Sequence, residues 1–145
     1  MSREDGPTRF GERMLDSLAL LIVALAGACF VALSVLSVSA PATASGFLMG
    51  FATSAAAHYT ELLIRVVVGL AFIANAASAP VPLPFAVFGW LLVGTSAALF
   101  MVPWRWHRAF AQRAVPWAVR HLRLVALVSF ALGSFVIWSV VQSAA

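Results

Sequence analysis

Lysine is absent from this sequence, cysteine occurs once, and only five residues of 145 are acidic. Each shortage excludes something. Cys29 alone permits no intrachain disulfide and no Cys-x-x-Cys redox pair, so thiol–disulfide chemistry is out; free cysteine is usually buried, and a small packing residue is expected there. Four of the five acids (Glu4, Asp5, Glu12, Asp16) precede residue 17, leaving Glu61 as the lone carboxylate in the remainder. One carboxylate gives neither a general acid–base pair nor an acidic ring lining a cation pore. No glycine-rich phosphate loop and no Ser/His/acid or Cys/His set is present. His58, His107 and His121 lack the close pairing of zinc sites or the opposed pair of an axial haem site. No catalytic residue, metal or cofactor is expected, and the chain is not expected to be an enzyme.

What is there is hydrocarbon. With 63% hydrophobic and 10% charged residues, the chain is far too apolar for a soluble domain, where about a quarter of residues are charged. A membrane-crossing helix needs about 20 mostly apolar residues, and Ser17–Val38, Leu62–Ala79, Phe85–Val102 and Leu122–Val141 provide or nearly provide that. The expectation is a single all-α membrane domain, a bundle of four transmembrane helices at 17–39, 60–79, 84–103 and 121–142, behind a charged tail over 1–16. The Ala42-Thr43-Ala44 stretch resembles a signal-peptidase site, but Leu18 to Val38 is too long for a signal-peptide core and its leader is too acidic. Small residues at four-residue spacing mark helix contacts in lipid, where close packing replaces the hydrophobic effect. Candidates are Ala24, Ala28 and Ala32 beside Gly27, then Gly94 with Ala98, and Ser129 with Gly133.

The connections differ in character. Pro41 and Gly46 mark a loop, and Phe47, Leu48, Phe51, Ala55 and Tyr59 share one helical face, so a short interfacial helix over 46–58 is expected between the first two spans. A fifth span there leaves no turn before Glu61. Pro80, Pro82 and Pro84 predict a short, stiff, extended link that makes spans two and three antiparallel neighbours. From Pro103 to Arg123 arginine, histidine and tryptophan interleave, the composition of a headgroup layer, with Pro116 expected to break any helix.

Four spans put 58–65 and 104–123 at the same membrane face. Glu61 and Arg65, at i and i+4, share a helical face; they form a border ion pair that fixes helix depth, a site for an anionic headgroup or substrate, or a proton-coupled site. Together with Arg105, His107, Arg108, Arg113, Arg120 and Arg123 they are the candidate residues for binding anionic headgroups or an acidic partner. Nucleic acid is not an expected partner despite a sequence pI near 11.1, because the arginines border hydrophobic spans. Six arginines on this side against three on the other predict that the 104–121 connection is cytoplasmic and both termini periplasmic. An all-arginine cation set fits the codon bias of a GC-rich bacterial genome, hence a bacterial inner membrane.

Glu-Leu-Leu-Ile-Arg-Val-Val-Val-Gly-Leu (61–70), then an apolar hairpin, Pro103-Trp-Arg and a final apolar span, resembles the layout of small four-span bacterial inner-membrane proteins of the broad DoxX-like group. The resemblance covers about residues 15–140, implies a four-span fold, and transfers no functional residue. The expected function is a non-catalytic accessory or assembly subunit of a larger membrane complex; the alternative is a self-associating small-solute transporter or channel.

Overall fold

The computed structural model describes residues 7–50 and 54–144, with the side chains of 7–9, 49, 104, 107, 111, 115 and 144 also outside the description. The described residues form six α-helices and no strand: α1 (Pro7–Ser39), α2 (Pro41–Gly50), α3 (Ala55–Asn75), α4 (Pro82–Phe100), α5 (Trp104–Arg120) and α6 (Leu122–Ala144), with a 3-10 turn over Ala76–Ser78. Four of them, α1, α3, α4 and α6, are long and apolar enough to cross a membrane. The chain is an all-α, multi-pass membrane bundle.

Burial is distributed as lipid requires. Leu21, Leu25, Leu63, Leu70, Trp90, Leu91 and Leu127 stand outward, while Ser34, Ser37, His58, Asn75, Ser96, Ser129 and Ser139 are buried. In water that pattern would be inverted; in hydrocarbon the leucines already lie in an apolar solvent and the interior selects small residues that let backbones meet.

The helices associate in two pairs, each closed at a glycine contact. α3 and α4 follow one another in sequence. A methyl group built on Gly89 would lie 2.7 Å from the Gly69 carbonyl oxygen, and one on Gly69 would lie 2.9 Å from the Gly89 oxygen. The second pair joins the first and last spans: a methyl on Gly133 would lie 2.8 Å from the Gly27 oxygen. Val23, Ala71, Phe72, Ala79, Phe85 and Val136 form the core where the pairs meet, with Phe72 set against Phe85 and Phe88 at centroid distances of 5.2 and 4.9 Å. Along that seam an apolar groove of about 180 Å³ remains, walled by Phe30, Phe72, Phe85, Phe88 and Phe135.

The small-residue stripes divide accordingly. Ser129 and Gly133 are buried between α1 and α6, as is Gly27. The alanines beside Gly27 are not: Ala28 and Ala32 are exposed, because the buried face of α1 runs through Val23, Gly27 and Ser34 instead. Gly94 and Ala98 also face outward, with nothing within 4 Å of a methyl built on Gly94. Cys29 is exposed rather than packed.

Several boundaries differ from expectation. α1 begins at Pro7, ten residues before the expected span, because proline suits a first helical position and a helix propagates cheaply once nucleated. At 33 residues it is about 50 Å long against a hydrocarbon core of about 30 Å, so its charged first turns lie outside the core. The short connecting helix is Pro41–Gly50, not 46–58. Pro41 starts it instead of marking a loop. Ala55 onward belongs to α3, whose first turn is capped by Ser54 Oγ accepting the Ala57 N–H at 3.1 Å; residues 51–53 lie outside the description. α4 likewise starts on its prolines, at Pro82, where the missing N–H has no helical partner to lose. The helix α5 runs through Pro116. Proline there removes one bond to the carbonyl four residues back, and on an exposed helix water or headgroups replace it.

Candidate functional site

With α1 and α4 running one way and α3 and α6 the other, α2, α5, the start of α3 and the start of α6 share one end of the bundle. The candidate residues therefore lie in one layer, but they do not form one cluster.

Glu61 and Arg65 turn into the α3–α4 pair. Arg65 Nη1 lies 3.4 Å from Glu61 Oε1, and its Nη2 donates to Thr95 Oγ1 across the helix contact at 2.9 Å. Thr95 donates its own proton back to the Leu91 carbonyl at 2.5 Å, so its oxygen is left to accept from Arg65. The Arg65 and Glu61 side chains are 30% and 22% exposed. A guanidinium committed to a carboxylate and a hydroxyl is a fixed strut between helices, favouring the ion pair that sets helix depth over a vacant anion site. Tyr59 and Phe100 stack beside it, 6.0 Å between centroids.

Arg105, Arg108 and Arg113 are exposed on α5, alongside Trp106 and Trp117. The His107 side chain lies outside the described residues. Arg120 and Arg123 belong to a different feature. With His121 between them they border a cleft where the end of α1 meets the α5–α6 corner, about 740 Å³ in volume and with Ser37 and Val38 on its α1 wall. The imidazole Nδ1 of His121 lies 2.8 Å from the Trp117 carbonyl oxygen, which only accepts, so Nδ1 carries the proton and Nε2 points elsewhere. The Trp117 and His121 rings lie 4.6 Å apart.

Sequence reasoning missed Thr95 and Ser37. Nothing local marks either one: Thr95 is 30 residues from Arg65, and Ser37 is one of many serines in an apolar span. Asn75 donates to the Ala71 carbonyl of its own helix at 2.9 Å. The inter-element polar tie at that end is Ser143 Oγ donating to the Ser78 carbonyl at 3.2 Å. Among the described residues no three His, Cys, Asp or Glu side chains come close enough to share a metal ion.

Comparison of this chain with models of known protein families, with curated proteins and with solved structures finds no match.

Proposed function

We propose that this chain is a non-catalytic accessory or assembly subunit of a larger bacterial membrane complex, respiratory, photosynthetic or transport, held in the inner membrane with its arginine-rich layer toward the cytoplasm and both termini in the periplasm. The observation that carries the reading is α5. Seventeen residues of arginine- and tryptophan-bearing helix touch α2 and α6 at one end of the bundle, with Arg105, Trp106, Arg108, Phe110, Arg113 and Trp117 exposed. Such a surface suits an acidic partner or anionic headgroups, since each arginine near an anionic membrane surface contributes about 1 kcal/mol. The glycine-closed pairs fit the same reading, because carbonyl-to-helix contact leaves no wet route between α3 and α4 or between α1 and α6. The DoxX-like layout agrees with a small bacterial four-span protein and contributes no site residue.

Native mass spectrometry after extraction in mild detergent tests the proposal. Larger subunits are expected to remain attached to one or a few copies of this chain. A closed ring of identical copies with nothing else bound would replace the reading with a self-assembled transporter or channel.

Orientation has its own measurement. With Cys29 replaced, single cysteines at Ser78 and Gln112 are expected to react with impermeant reagent from opposite sides, Ser78 from the periplasm. Labelling of both from one side would overturn the topology.

A further inference from the structure

Serine inside a helix normally returns its proton to the carbonyl four residues back. Ser39 does so to Val35 at 2.8 Å and Ser45 to Pro41 at 2.7 Å. Ser37 does not. It is 4% exposed, its Oγ has no hydrogen-bond partner, and it sits on the wall of the cleft bordered by Arg120, His121 and Arg123. A buried hydroxyl left unsatisfied costs about 1–3 kcal/mol, a cost that a ligand able to accept from it would remove.

The remaining walls say what that ligand is. The cleft lies at the first turn of α6, a helix of 23 residues; the Leu124 and Val125 N–H groups there donate to the His121 carbonyl at 2.8 and 3.0 Å, which leaves those of Leu122 and Arg123 to attract an anion. Arg120 and Arg123 add two positive charges in the same place, and arginine forks match phosphoryl oxygens. Among the described residues no carboxylate lines the cleft to neutralise them. Val38 and Leu124 extend its apolar side toward the hydrocarbon. A charged rim above an apolar wall at a membrane border fits an amphiphile better than a free ion.

We propose that this cleft binds the phosphoryl group of one anionic lipid. Arg120 and Arg123 neutralise the headgroup, Ser37 Oγ donates to a phosphoryl oxygen, and Val38 and Leu124 flank the start of a chain. The proposal rests on the reading of the arginine-rich layer as a headgroup surface and narrows it to one site, to which the exposed arginines of α5 do not contribute.

The test is lipid titration of the purified full chain by native mass spectrometry, using phosphatidylglycerol with phosphatidylcholine as the zwitterionic comparison. The wild type is expected to hold one phosphatidylglycerol in preference to phosphatidylcholine. Arg120→Gln with Arg123→Gln is expected to weaken it about a hundredfold, about tenfold for each charge-assisted contact, and Ser37→Ala about three- to tenfold, from the usual net contribution of a single hydrogen bond. Arg108→Gln with Arg113→Gln is expected to change it less than about twofold. Equal loss in both arginine pairs overturns the discrete site and leaves the diffuse headgroup surface standing. No loss in either overturns both. Displacement of the lipid by millimolar inorganic phosphate, with phosphate retained, overturns the lipid as ligand. Should the Arg120/Arg123 variant fail to fold, Ser37→Ala decides, because it removes one oxygen and no charge. Unchanged preference in that variant overturns the proposal.

Discussion

Gly133→Ala and Gly89→Ala are expected to destabilise the bundle by about 1–2 kcal/mol each, and valine or leucine at either position to separate the helices they join. The methyl group at Gly133 would meet the Gly27 oxygen at 2.8 Å and the Val31 nitrogen at 2.9 Å, both backbone atoms. Backbone has no rotamer to change, so the helices must move apart. Overpacking of that kind costs about 1–3 kcal/mol, and in lipid no hydrophobic term restores what van der Waals contact loses. The gain of about 1 kcal/mol from replacing a helical glycine by alanine offsets part of it. Gly27→Ala is expected to cost less, because its nearest neighbours are Val136 and Ile137 side-chain carbons at 3.0 and 3.1 Å. Gly94→Ala meets nothing within 4 Å and is expected to be neutral or stabilising. Denaturation in mixed micelles, followed by loss of helicity, ranks the four. A Gly94 variant as damaging as Gly133→Ala would refute the helix pairing.

Arg65→Met is expected to cost about 1–2 kcal/mol in the same assay, more than Glu61→Gln. It removes the guanidinium from beside a carboxylate that is 22% exposed and takes the donor away from Thr95 Oγ1. Breaking a fully buried pair costs about 3–5 kcal/mol, an exposed one under about 1, and this pair lies between. The double variant is expected to recover part of the loss, because neither charge is then left without the other. A double-mutant cycle measures this coupling; strict additivity would mean that Glu61 and Arg65 do not act on each other. Thr95→Val should lower stability more in the wild type than once Arg65 is gone, because the bond to the Leu91 carbonyl is lost in both backgrounds and the Arg65 bond only in the first.

These variants also separate what could be read from the residues from what needed the fold. Four spans were legible because length and hydropathy act one helix at a time, and the proline-spaced link was legible because it is local. The α1–α6 pair was not. Ala24, Ala28 and Ala32 have the spacing of a packing stripe as fully as Gly27 does, and Gly94 with Ala98 has the spacing of Ser129 with Gly133. Spacing identifies a smooth face; which smooth faces meet is decided by backbone approach across most of the chain. In the site, Glu61 and Arg65 were legible from their four-residue separation, whereas Thr95 came from another helix. Ser37 escaped because it lacks a bond as Ser96 and Ser139 do, and differs from them by its place on a cleft that only the fold creates. Pro41, Pro82 and Pro116 were read as breaks, yet two of them start helices and the third sits inside one on an exposed surface.

The pairing of the first span with the last has a consequence for biosynthesis. α3 and α4 become neighbours as soon as the proline turn has left the ribosome. α1 has α3 to lean on, but the carbonyl of Gly27 meets no Gly133 until 106 further residues have been made. At an elongation speed of about 5–20 residues per second that is an interval of about 5–20 s. Throughout it, the smooth face of α1 is covered by lipid or by the insertion machinery. α6 must then displace that cover to reach it. Completion of the bundle is thus tied to the final span, and a chain stalled before Leu122 would keep its α3–α4 hairpin while leaving α1 without the partner that seals it.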